Sequence, residues 1–182
     1  MAQPEPFSPV QCFFAMLYVN SDLCDRALSV IETRLGTLSH RFGPIPFTFT
    51  DYYDAEMGKP ALRMLVQMRE LVSPIQLADM KIETNRIEME IAQGTGFVRP
   101  VNIDPGYIDR YKLVLASCKN GPMRIPLKDG VYAEVTMTWR KDGFTAHDLT
   151  YADYRSDEIR GFLAQIRQDY LKKLKDLRNS ST

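Results

Sequence analysis

In this chain of 182 residues, 23 Lys and Arg balance 23 Asp and Glu, so the formal net charge is zero, which argues against broad nucleic-acid binding by phosphate neutralisation and leaves room only for a local basic patch. With 45% hydrophobic and 25% charged residues the composition is that of a globular protein, not a disordered or fibrous one, and the length suits a single domain over residues 1–182. The longest apolar run, Cys12 to Val19, is far short of the roughly 20 residues that cross a bilayer, so no membrane partner is expected.

MAQPEPFSPV carries no basic residue ahead of the first apolar stretch and lacks the layout of a signal peptide. Cys12, Cys24 and Cys118 are scattered and without CxxC spacing, so they read as buried free thiols in a reducing cytoplasm. The first ten residues hold three prolines and read as an extended lead-in. Phe13 to Val19 is apolar throughout, which predicts a strand buried on both faces. Asn20-Ser21-Asp22 then offers a helix N-cap; Leu23, Ala27, Leu28, Ile31 and Leu35 recur at helical spacing, and Gly36 closes the helix.

RFGPIPFTFT, residues 41–50, reads as an edge strand because Pro44 and Pro46 remove two ladder donors. After the loop 51–60, Leu62, Met64, Val66 and Met68 alternate with Arg63, Leu65, Gln67 and Arg69, a strand with one apolar face. Ser73-Pro74 opens a second helix whose inner positions are Leu77, Met80, Thr84, Ile87 and Ile91, and Gly94 and Gly96 end it. Arg99 to Ile103 supplies a fourth strand. Asp104-Pro105-Gly106 reads as a type II turn leading to a strand over Lys112 to Cys118. Arg124–Leu127 and Val131–Arg140 form a hairpin about Lys128-Asp129-Gly130, and Lys141-Asp142-Gly143 turns the chain again. Ser156-Asp157-Glu158 caps a closing helix carried by Ile159, Leu163, Ile166, Tyr170 and Leu174.

The order strand, helix, strand, strand, helix, strand over residues 11–108 is the ferredoxin-like split βαβ pattern, an antiparallel sheet under two helices; residues 109–182 extend it by a β-meander and a C-terminal helix, an α+β fold. No catalytic motif is present: Ser117 and Cys118 lack a GxSxG elbow or a neighbouring histidine. The polar residues group around the expected turn. Asp51, Lys81, Asn85, Asn102, Asp104, Tyr107, Lys112, Glu134, Tyr154 and Arg155 are the candidate lining of a pocket for a small phosphorylated or carboxylated ligand, with lysine and arginine as donors. His40 and His147 stand without a second ligand at useful spacing, so a histidine or cysteine metal site is not expected. Magnesium is the one cofactor the carboxylates would suit, through Asp51, Glu56, Glu88, Asp104 and Glu134, and would imply a phosphoester hydrolase or transferase. A third reading is an interaction scaffold in which the edge at 41–50 pairs with a partner strand or a second copy.

The segments TDYYDAEMG (50–58), KIETNRIE (81–88), RPVNIDPGYI (99–108), KLVLASCKN (112–120), GVYAEVT (130–136) and TYADYRS (150–156) resemble those of an uncharacterised bacterial domain-of-unknown-function family of about this length. That resemblance implies no reaction or catalytic residue. Members are sometimes labelled GTP-binding, but this chain has neither a GxxxxGK[ST] phosphate loop nor a guanine-reading NKxD.

Overall fold

Strand β1, Val10–Tyr18, is buried at all nine positions, because helices cover both faces of the sheet in which it is central. The structure is a computed structural model describing residues 3–141 and 143–180; the start of the lead-in, Asp142 of the expected Lys141–Gly143 turn, and Ser181 and Thr182 lie outside it. Helix α1, Ser21–Arg34, begins where the Asn20 side chain accepts the Leu23 amide at 3.1 Å. Beyond its last turn Gly36 adopts φ +123°, a backbone conformation that favours glycine. Strand β2 is Leu38–Pro46, the four-residue helix α2 is Asp54–Met57, β3 is Leu62–Val72, and α3 is Leu77–Ala92. A meander follows: β4 Val101–Ile108, β5 Lys112–Ser117, β6 Arg124–Pro126, β7 Tyr132–Arg140 and β8 Gly143–Ala146. Helix α4, Asp157–Ser180, closes the chain, with the Ser156 hydroxyl accepting the Ile159 amide.

The architecture is mixed α+β, an antiparallel eight-stranded sheet that does not close into a barrel, in the order β2-β3-β1-β4-β5-β7-β6 with β8 beside β7. The first and third strands are central and the proline-marked second is an edge, as the split βαβ order requires, but the fourth, the other edge in that order, lies between β1 and β5 because the meander continues the sheet. Helices α1 and α3 pack on one face around Phe14, Met16, Ile31, Val66 and Ile87. Helix α4 covers the other face, where Phe13, Leu65, Leu115, Leu163 and Ile166 pack together. The second face of β3 is therefore inside, and Arg63 and Gln67 are 6% and 1% exposed.

The Asp104-Pro105-Gly106 turn does not form. Strand β4 runs straight through these residues, pairing Asp104 with Ala15, Pro105 with Phe14 and Gly106 with Phe13. The chain reverses later, at Asp109, whose Oδ1 accepts the amides of Tyr111 at 2.7 Å and Lys112 at 2.8 Å. Gly106 is required by crowding and not by a turn. A Cβ there would stand 2.7 Å from Leu115 Cδ2, 2.8 Å from the Val114 carbonyl oxygen and 2.9 Å from Phe13 Cζ. Gly106→Ala is expected to cost about 1–3 kcal/mol by forcing β5 and Phe13 aside. Urea unfolding measures this, and an unchanged midpoint would disprove the crowding.

Candidate functional site

Strand β4 pairs with β1 along its whole length, but with β5 only from Gly106 to Ile108, opposite Leu115 to Leu113. Ahead of Gly106 the outer edge of β4 is bare. In an antiparallel strand alternate residues present their backbone polar groups to the same side, so Ile103, Pro105 and Tyr107 face that edge. Tyr107 meets Val114 of β5. Pro105 has no N–H to leave unpaired, which is why a central strand tolerates it. Ile103 has both groups to satisfy, and α3 supplies the partners: Lys81 Nζ donates to the Ile103 carbonyl at 3.0 Å, and the Ile103 amide donates to Glu88 Oε1 at 2.6 Å. Lys81 and Glu88 are seven residues apart, two helical turns, and so share one face of α3.

These two side chains anchor a buried ionic network. Lys81 Nζ lies 2.7 Å from Asp104 Oδ1 and 3.9 Å from Glu88 Oε1. Asn102 Nδ2 donates to Asp104 Oδ2 at 2.8 Å, and Arg99 Nε donates to Glu88 Oε2 at 2.7 Å. Burial alone would raise the Asp104 carboxyl, but the Lys81 charge, the hydrogen bonds from Lys81 and Asn102, and the nearby Arg63 charge hold it below the ordinary carboxylate range. For Glu88 burial wins over the pull of Lys81 and Arg99, and its carboxyl is raised. Burial also opposes the Lys81 charge, yet Asp104 and Glu88 keep it above the ordinary lysine value. Each of the four carboxylate oxygens already accepts a hydrogen bond, so neither acid is poised as a free base.

Where β4 and β5 part, a cleft opens in two connected chambers that share Tyr53, Asp104, Leu115, Lys119 and Tyr151. One, of about 350 Å³, is polar and reaches Lys81, Asn85, Glu88, Asn102 and Glu134. The other, of about 430 Å³, is aromatic, walled by Phe47, Phe49, Tyr52, Tyr53 and Tyr151, and ends on Arg63, Asp153 and Tyr154. Arg63 lies over the Phe47 ring, 5.0 Å from its centroid. Burial pushes the Tyr53 phenol up to about 12, helped by the Asp104 charge, so it stays protonated at neutral pH. At the mouth Lys119 hydrogen-bonds the Tyr52 hydroxyl and sits 4.4 Å from that ring's centroid. Arg124 braces the wall: Nε donates to Glu134 Oε2 at 2.6 Å, Nη2 to the Tyr151 hydroxyl at 2.6 Å and Nη1 to the Lys119 carbonyl at 2.7 Å.

Of the residues expected at one pocket, Lys81, Asn85, Asn102, Asp104, Glu134 and Tyr154 line this cleft. The other four do not. Asp51 is exposed and outside both chambers, although Thr50 and Tyr52 on either side of it line the aromatic one. Tyr107, inside the paired stretch of β4 and β5, and Lys112, at the start of β5 where it is tied to Asp109, lie outside both chambers, because the strand continues where a turn was expected. Arg155 clasps the 147–150 turn, donating to the carbonyls of His147, Asp148 and Thr150. The five carboxylates considered for magnesium do not converge: Asp51 and Glu56 lie outside the cleft, Glu134 is held by Arg124, and among the described residues no group of three or more His, Cys, Asp or Glu is placed to hold a metal ion.

Arg63, Asp153, Tyr53 and the aromatic pair Phe47 and Phe49 are functional candidates the sequence reading passed over. Arg63 alternates with apolar residues like any solvent-facing position, and only the cover of α4 reveals it as buried. Among known proteins, residues 8–170 match the model of a family described as a domain of unknown function, DUF4416. No curated protein matches, and no solved structure does.

Removing Lys81 leaves the buried Glu88 and the half-buried Asp104 without their shared cation, and Lys81→Met is expected to cost about 3 kcal/mol, the low end for a broken buried pair because Asp104 keeps some contact with water. The pH dependence carries a signature. In the intact protein Asp104, with its lowered value, contributes stability above the ordinary carboxylate range near about 4, and that stability is lost as pH falls through its folded value. Without Lys81 the Asp104 carboxyl is no longer held down, so relative to the intact protein the variant loses less stability as pH falls through the carboxylate range. Denaturation at a series of pH values measures the difference, and parallel pH profiles would refute the pairing.

Proposed function

For this chain, which belongs to the DUF4416 family, we propose a binding role: the cleft between β4 and β5 takes a small ligand with a flat, apolar body and one anionic group, phosphate or carboxylate. One observation carries the reading. Among the described residues lining the two chambers, Arg63, Lys81 and Arg99 each face a carboxylate, whereas Lys119, at the mouth of the aromatic chamber, has no carboxylate partner. Its charge is available to an incoming anion, and the Tyr52 hydroxyl it now meets is a weak partner by comparison. The aromatic walls supply stacking surface for a ring. The volume is of the size that small-ligand sites occupy, and the commitment of Asp104 and Glu88 to structural hydrogen bonds favours binding over hydrolysis. Cys12 and Cys24 are buried, whereas Cys118, expected to be buried too, is exposed just past the end of β5; three free thiols suit a reducing cytoplasm, and among the described residues no helix is long and apolar enough to cross a membrane.

Isothermal titration with nucleoside monophosphates, hexose phosphates and aromatic carboxylates tests the reading. At least one class is expected to bind, and Lys119→Ala is expected to weaken that binding by about tenfold or more, the scale of one lost charge-assisted contact. Affinity unchanged in Lys119→Ala would remove the basis of the assignment.

A further inference from the structure

The aromatic chamber ends on three side chains whose hydrogen-bonding capacity the fold leaves open. Tyr154 is 2% exposed and its hydroxyl has no partner. Arg63, 6% exposed, makes no hydrogen bond through Nε. Its Nη2 stands 2.6 Å from Asp153 Oδ2, but off the angle of a hydrogen bond, so that oxygen, on a residue 2% exposed, is also without one. Native interiors pair nearly all such atoms. Here three atoms without a hydrogen bond belong to residues of β3 and the 152–155 turn that all line the same chamber.

Their chemistry says what would complete them. Arg63 Nε can only donate, Asp153 Oδ2 can only accept, and the Tyr154 hydroxyl can do both. A second anion would be poorly received: the Arg63 charge is matched by Asp153, and Asp104 lines the same chamber. A neutral group presenting an acceptor and a donor side by side meets all three. A ring carbonyl next to an N–H has that pattern, and so do neighbouring hydroxyls of a sugar.

We propose that the closed end of the aromatic chamber is a second subsite, in which Arg63, Asp153 and Tyr154 read the uncharged donor–acceptor edge of the ligand. The inference depends on the binding role assigned to the cleft and specifies its ligand: charged at one end only, with the neutral polar end innermost and the anion on Lys119. Tyr154 is then a specificity residue and Lys119 the affinity residue.

The test titrates the full chain, Tyr154→Phe and Lys119→Ala with uridine 5′-monophosphate, glucose 6-phosphate and inorganic phosphate, and records thermal unfolding of each protein without ligand. Uridine 5′-monophosphate brings an imide edge, glucose 6-phosphate a set of hydroxyls, and inorganic phosphate neither, so the tighter of the two organic probes identifies the source of the edge. Tyr154→Phe is expected to weaken that probe about fivefold or more while leaving inorganic phosphate unaffected. Its melting temperature should not fall, since the hydroxyl has no partner within the fold to lose. Lys119→Ala should weaken all three.

A melting temperature lowered by more than about 3 °C in Tyr154→Phe would overturn the inference by showing a structural role for the hydroxyl. So would an organic probe that binds no better than inorganic phosphate, or one that Tyr154→Phe leaves unaffected; if Lys119→Ala still weakens binding, the anion site at the mouth survives either result. Absence of binding by all three probes to the intact chain would overturn both proposals.

Discussion

At Ile103, two side chains of α3 do the work of a missing strand. Lys81 takes the carbonyl and Glu88 takes the amide that β5 would have paired had it stayed alongside. An unpaired backbone group inside a protein costs about as much as a lost hydrogen bond, so β4 could not leave β5 at this depth without such partners. The sheet opens here because α3 closes its bare edge, and Pro105, which has no amide hydrogen, extends the unpaired stretch without adding a donor to satisfy.

The opening and its electrostatics have a common origin. A lysine and a glutamate pulled into the sheet edge need charges of their own to face, and Asp104 and Arg99 provide them. Such a network contributes little net stability once desolvation is counted, yet it fails badly when one member is removed. Its effect on the cleft is to neutralise the polar chamber locally. The cation without a carboxylate partner is at the mouth, Lys119, while the aromatic chamber is lined by Arg63, Asp153 and Tyr154, each with a buried polar atom that lacks a hydrogen bond. Charge outside, rings between and a neutral hydrogen-bonding floor follow from how β4 and β5 part.

The elements were largely legible in the sequence. The all-apolar run of β1, the Asn20 cap, the Ser73-Pro74 entry towards α3 and the stripe of α4 are local signals, and the structure follows them to within a few residues. The reading failed where a local signal had a second use. Pro105 and Gly106 are the residues of a tight turn, but here the proline sits where a strand lacks a partner and the glycine where Phe13 and β5 press against the backbone. That single substitution of strand for turn displaced Tyr107 and Lys112 from the site. It left Asn102 and Asp104 within it, because both precede the point where β5 rejoins.

By itself the sequence determined the α+β class, the two central strands and the proline-marked edge strand of the first half, and, of ten side chains expected at one pocket, six that do line the cleft, because these depend on period, capping and the alternation of polar with apolar residues. Which faces are covered was decided only in three dimensions. Arg63 alternates with the apolar face of its strand, as a solvent-facing residue would, and it took α4, more than ninety positions later, to bury the face of β3 on which that arginine lies. The site is made by the parting of two strands and the reach of a helix between them. Those are relations between segments distant in the chain, and no pattern within any one segment records them.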